Sequence, residues 1–275
     1  MSCGCNVFNE IGSGGCLAGG SASTTVETIG GGVVCGGCAR VEIYQDVYDG
    51  LEFCLPLNES GLTYYDRTAN NLDGTAVAPY DPSQADGVFC SLAADFDGDS
   101  SQFITLPQDS IPANQSFTIS GWIKIDTMFK TRRIFSRGYD NGSDKWVFNF
   151  GYSFINHLMA GIQTTDGTST TNNEVYSSQR LSQDKTYHVS CVYDGSLSVF
   201  INGVLAGTND IITGDVISQT NGGYISRFND GAFHSGLIQE LRLHPVAKSA
   251  GWLKAEHDNF CSSGFFTVGE EEEII

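Results

Sequence analysis

From about residue 50 the apolar positions repeat with a period of two, the spacing of a strand with one buried face. The clearest case is "SFTISGWIKID". Phe117, Ile119, Gly121, Ile123 and Ile125 fall on one face and Trp122 on the other. "LEFCLPL" is a short apolar run, and "LAADFDGDSSQFITLP" reads as two strands around an acidic turn. "RRIFSRG", "KWVFNFGY", "HLMAGIQTT" and "NEVYSSQ" follow as further strands. In "TYHVSCVYDGSLSVFINGVLAGT" the pairs Asp194-Gly195 and Asn202-Gly203 supply two tight turns, and "GLIQELRLHP" is a last strand. Turn signals recur about every 8–12 residues, the rhythm of a two-sheet sandwich or jelly roll.

One stretch breaks this rhythm. "AKSAGWLKAEHDNF" is spaced as a helix, with Val246, Trp252, Leu253 and Phe260 as its apolar stripe and Gly251 against it. Residues 1 to about 45 show no sustained period of either kind, and Gly, Ser, Thr and Cys dominate there. "GEEEEII" closes the chain as a solvated charge run. The expected organisation is an irregular Gly/Cys-rich arm over 1–48, an antiparallel two-sheet β-sandwich with a short C-terminal helix over 49–262, and an acidic tail over 263–275.

Composition changes this picture in three ways. The 275 residues include 17 Phe, 11 Tyr and 3 Trp, enough for one large all-β core. Net charge is −18, so nucleic acid and anionic membrane surfaces are excluded as expected partners. No run of about 18 apolar residues is present to span a bilayer, and the first 20 residues lack a basic start with a continuous apolar run. The expectation is assembly in the cytoplasm, or exit by a route other than standard secretion.

Nine cysteines is an odd number. Cys3, Cys5, Cys16, Cys35 and Cys38 lie in the arm; Cys54, Cys90, Cys191 and Cys261 are scattered through the body. Scattered cysteines read as small buried apolar residues. The arm cysteines leave three alternatives open. They form intrachain disulfides, with Cys54 as a further partner, or disulfides to other chains, or a zinc site of four thiolates from the C-x-C and C-x-x-C pairs.

The order of motifs, from "LPLNES" and "YYDRTANNLDGTAV" to "VFINGVLAGT" and "GLIQELRLHPVAKSAGWLKAEHDN", resembles the laminin G-like group of concanavalin A-like jelly rolls. It covers roughly residues 50–260. The Trp122 strand is similar to the family's central "WVK" strand, and "LIQELRL" to its "IDEVRIY" strand before a short helix. The resemblance implies a non-catalytic binding or adhesive module. Glycosidases on this kind of fold carry E-x-D-x-x-E on one strand. No such spacing occurs here, and Asp46 and Asp49 of "YQDVYDG" lie on no clear strand.

The resemblance also implies calcium at the sandwich rim, with Asp73 of "NLDGT" and Asp97 of "FDG" at matching positions. Gln239 departs from it, standing where the family commonly has Asp. Asp95, Asp97 and Asp99 alternate like the start of a calcium loop, but Leu106 occupies the twelfth position, where an EF-hand has Glu. The five histidines (157, 188, 234, 244 and 257) have no ligand-like spacing and read as ordinary surface or strand residues. Tyr139, Trp146, Tyr152 and Tyr176 are the candidate aromatic platform for a glycan.

Together these readings point to a structural or adhesive protein of a virus particle, most simply a bacteriophage head-decoration, fibre or tail-surface protein. Its arm would anchor it to neighbouring virion subunits, while its jelly roll would stabilise the particle or bind a host-surface glycan. The alternative is a stand-alone extracellular carbohydrate-binding lectin-like module.

Overall fold

The computed structural model describes residues 50–88, 91–107, 116–138, 146–217, 222–228 and 231–261, and the backbone of 28–29 and 32–33; the side chains of 260 and 261 lie outside it. The arm cysteines, Tyr139 and the acidic tail fall outside the described residues.

The strands begin with β1 (Thr28–Ile29), β2 (Gly32–Val33), β3 (Phe53–Leu55), β4 (Thr63–Tyr64), β5 (Gly74–Thr75) and β6 (Ser83–Asp86). The middle of the chain forms β7 (Leu92–Phe96), β8 (Ile104–Thr105), β9 (Phe117–Lys124), β10 (Arg132–Arg137), β11 (Phe148–Tyr152), β12 (His157–Thr165) and β13 (Thr170–Arg180). The last are β14 (Thr186–Tyr193), β15 (Leu197–Ile201), β16 (Val204–Asn209), β17 (Asp215–Val216), β18 (Gly223–Ile225) and β19 (Gly236–His244), followed by helix α1 (Ala250–Cys261).

Two antiparallel sheets make a sandwich, as the periodicity predicts. An eight-stranded sheet runs β16-β15-β14-β9-β19-β7-β6, with β3 on β19. A nine-stranded sheet runs β13-β12-β11-β10-β18-β8-β5-β4, with β17 on β12. The acidic segment after β7 is therefore a crossover between sheets, since β7 and β8 belong to opposite ones. Phe117, Ile119, Ile123 and Ile125 of the alternating segment all enter the core. Phe148 and Phe150 meet them from the other sheet, and the Phe117 and Phe148 rings are 4.9 Å apart, edge to face.

Cys54 and Cys191 are buried free thiols, so neither staples the fold. This corrects the expectation that Cys54 joins the arm in a disulfide: its thiol lies in the interior, beside the Arg242 guanidinium.

Helix α1 covers the outer face of the eight-stranded sheet. Ser249 caps it, its Oγ accepting the Trp252 amide at 3.2 Å. Leu253 is fully buried against Val192 and Phe200, with Trp252 partly buried beside it. The expected stripe is narrower than its sequence suggests, because Val246 is 47% exposed and precedes the helix.

Polar groups complete the seam. Glu256 Oε1 accepts from Arg242 at 3.2 Å and from Ser120 Oγ at 3.1 Å, and Oε2 lies 3.2 Å from His188 Nε2. The His257 ring stacks on Trp122 at 5.7 Å. His188 and His244 are strand residues, as read from the sequence, and both are buried; His234, just before β19, is buried as well. No described helix is long and apolar enough to cross a membrane.

Candidate functional site

The outer face of the nine-stranded sheet gathers groups that the core does not use. Strand register decides which they are. Phe148 pairs with Ile162 and Phe150 with Ala160, all in the core. The alternate pair, Asn149 and Gly161, therefore faces outward. On β13, Glu174 opposes Gly161 and Tyr176 opposes Met159, so both share this face. Ser136 opposes Asn149 on one side and Tyr224 on the other, which carries the face across β10 and β18.

Trp146 lies across this surface at Gly161. A Cβ added to Gly161 would come within 3.0 Å of the indole and 2.8 Å of Asn149 Nδ2. Only a residue without a side chain leaves that space to the ring. The Trp146 amide donates to Gln163 Oε1 at 3.3 Å, and Gln163 Nε2 donates to Asn172 Oδ1 at 2.8 Å. The Phe228 ring meets Trp146 edge to face, with centroids 5.9 Å apart. Tyr176 is 46% exposed and its hydroxyl donates to Glu174 Oε2 at 2.6 Å. Partial burial, followed by the bond to Glu174 and the Glu174 charge, pushes the Tyr176 phenol up to about 12.

Arg133 enters the same face through a β-bulge. The β10–β11 register shifts between Arg133 and Phe135, so Ile134 and Phe135 both turn into the core while Arg133 opposes Gly151 on the outside. Its guanidinium sits 5.3 Å above the centre of the Phe228 ring. Burial pushes its pKa down to about 10, against the opposing pull of Glu174 and Tyr176. A second aromatic patch lies further along the sheet: Arg227 stacks 4.5 Å from the Phe103 ring centre and 4.9 Å from that of Tyr224, and Tyr80 stacks on Phe103.

Of the four predicted aromatics, Trp146 and Tyr176 lie on this face, and Tyr139 is outside the described residues. Tyr152 is a correction. It is fully buried in the core between the sheets, with its hydroxyl 3.5 Å from His234 Nδ1, and burial raises its pKa. Its alternation with Phe148 and Phe150 carried that signal. Arg133, Asn149, Gln163 and Phe228 were missed. Their residue types give no warning, and their placement depends on a bulge and on long-range register.

Asp73 and Asp97, the two positions expected at a calcium site, each accept hydrogen bonds from nearby groups. Asp73 Oδ1 accepts the Asp66 amide at 2.8 Å. Asp97 closes its own turn, accepting from the Asp99 amide at 3.0 Å and from Ser100 Oγ at 2.6 Å, and the Ser100 bond first among these lowers its pKa. Asp97 also lines an acidic cleft of about 400 Å³ with Asp95, Asp126, Ser83, Gln102 and Ser235, in which Asp73 takes no part. Among the described residues no three His, Cys, Asp or Glu side chains converge as metal ligands.

Solved structures share this fold at low sequence identity. Domain 4 of AbnA, a GH43 extracellular arabinanase from Geobacillus stearothermophilus, matches with a TM-score of 0.59 and 18% identity, over 74% of this chain and 96% of that domain. The binding domain of Paraclostridial Mosquitocidal Protein 1 matches with a TM-score of 0.59 and 14% identity, over 77% of this chain and 52% of that one. The binding domain of botulinum neurotoxin serotype G matches with a TM-score of 0.57 and 14% identity, over 75% and 50%. The match thus spans nearly all of the arabinanase domain and about half of each toxin domain. No curated protein matches the sequence. The family model Laminin_G_3 matches residues 97–254, more than half of the chain, and the chain belongs to its group, the concanavalin A-like lectin/glucanases superfamily.

Proposed function

We propose that this chain is a non-catalytic glycan-binding module whose site is the outer face of the nine-stranded sheet. The observation that carries the reading is the Trp146 indole laid across Gly161. Exposed ring surface is supplied there by Tyr176, with the nearly buried Trp146 indole and the amides of Gln163, Asn172 and Asn149 on the same face. A sugar needs that combination, because its C–H faces stack on rings while its hydroxyls want fixed polar partners. The arabinanase domain, which shares the fold, was solved in complex with arabinotriose.

Hydrolysis is disfavoured on the same face. An acid and a nucleophile or base must flank one glycosidic bond. Strands β10 to β13 and β18 supply one carboxylate, Glu174, and it is held by Tyr176. The test is a glycan array probed with the full chain, followed by calorimetry on each hit. Saturable binding without bond cleavage is expected. No binding at millimolar glycan, or release of reducing ends, would overturn the reading.

The carrier of the module is the second part of the proposal: a virus particle, to which the arm is tied by disulfides between chains. The two cysteines described in the sandwich are unpaired, while five of the nine precede residue 39. Non-reducing electrophoresis of the assembled protein should show bands above monomer mass that collapse on reduction. A single monomer band with free arm thiols favours the stand-alone lectin.

A further inference from the structure

From the placement of Arg133 we infer that the sugar taken by this face is acidic, a uronic or sialic acid residue whose carboxylate pairs with that guanidinium. The inference rests on the glycan-binding reading and adds the class of ligand. Arg133 is 7% exposed, in a chain of net charge −18 that has every means of pairing a buried cation. No carboxylate among the described residues makes an ion pair with it. Nη1 donates to the Arg132 carbonyl at 3.3 Å, and Nε is buried with no acceptor. No hydrogen bond from Nη2 to a described residue is formed. A guanidinium carries five N–H donors in a planar fork that fits a carboxylate two bonds at a time. Most of that fork is unspent.

A desolvated cation is costly to keep unless something pairs with it. The core does not need Arg133, since the bulge puts Ile134 and Phe135 inward and Arg133 out. The guanidinium lies over the Phe228 ring, 5.3 Å from its centre. On the neighbouring strand, two residues from the Gly151 that opposes Arg133, Asn149 is 1% exposed and its Oδ1 is likewise buried without a donor. The face therefore offers an unmatched donor group and an unmatched acceptor on neighbouring strands. A sugar acid brings the complement of each, a carboxylate and a hydroxyl. A neutral sugar supplies only the second. The negative field of the whole chain repels anions at long range, so affinity for one must come from such local contacts.

The test compares uronate- and sialate-containing oligosaccharides with the methyl esters of the same compounds, which keep the sugar and remove the charge. Wild-type protein should bind the acids at least tenfold more tightly than the esters, a preference that shrinks at about 0.5 M salt. Arg133→Gln should bring the ratio of acid to ester affinity close to one. Arg133→Lys keeps the charge without the fork and should recover part of the preference. Melting curves of both variants establish that they are folded, and the acid-to-ester ratio of wild-type protein stands whether or not they are. Esters that bind wild type as well as the acids would overturn the inference and leave the glycan reading in place. An unchanged ratio in folded Arg133→Gln would overturn the role of Arg133. Failure to bind any glycan, charged or neutral, would overturn both readings.

Discussion

Glu256→Ala should cost about 3–5 kcal/mol of stability, because it strips the counter-charge from a buried group of cations and donors. The Glu256 side chain is 5% exposed and answers Arg242, Ser120 and His188 at once. Burial alone would raise its pKa, but His188, Arg242 and His244 outweigh this and hold it down at about 2. Burial likewise opposes the Arg242 charge, yet Glu240 and Glu256 keep its pKa above the ordinary value. Removing Glu256 leaves these partners desolvated under helix α1.

The same groups fix the pH dependence. Burial lowers His234 and His244 to about 4, so the unfolded chain binds more protons than the folded one below the ordinary pKa of 6.5, and stability falls between there and about pH 4. Glu256 adds a second loss in the same direction. Its contribution is complete above its ordinary pKa of 4.5 and disappears as pH drops through about 2. Thermal melting from pH 7 to pH 2 should show Tm falling throughout. In Glu256→Ala the lower part of the fall should be shallower, with Asp97 and the other carboxylates of lowered pKa still contributing to it. A flat profile from pH 7 to pH 3, or a variant as stable as wild type, would contradict the account of the helix seam.

Trp146→Ala should lower glycan affinity by at least tenfold and stability by about 3 kcal/mol. Both losses have one cause. The indole is 6% exposed, fills the space above Gly161 and meets Phe228 edge to face. Truncation empties that space and removes one ring contact of Phe228, whose ring centre lies 5.3 Å from the Arg133 guanidinium. Calorimetry well below the lowered melting temperature separates the two effects. A variant that melts early but binds normally when folded would make Trp146 a packing residue and move the site elsewhere.

The sandwich was legible because β strands with one buried face leave a period-two record. The Phe117–Ile125 alternation named the core side of β9 correctly, and both Gly-containing turns fall where β14, β15 and β16 meet. Helix α1 was legible as an element. Its docking was not, because the decisive contacts are polar and join Glu256 to residues on β9, β14 and β19. Of the aromatics singled out by residue type, Trp146 and Tyr176 lie on the outer face, whereas Tyr152, whose strand alternation already put it with Phe148 and Phe150, lies in the core. Arg133 shows the limit most clearly. Strict alternation in "RRIFSRG" puts Arg133 and Phe135 on one face, and a single bulge separates them.

The central claim is that a glycan seats on the outer face of the nine-stranded sheet. Chemical-shift mapping of the isotopically labelled protein, titrated with the strongest array hit, tests it most directly. Saturable shifts are expected, centred on the Trp146 indole N–H, the Asn149 and Gln163 side-chain amides and the backbone of Glu174 and Tyr176. Shifts confined to the Asp95–Asp97–Asp126 cleft or to the helix α1 face, with those signals unmoved, would contradict it.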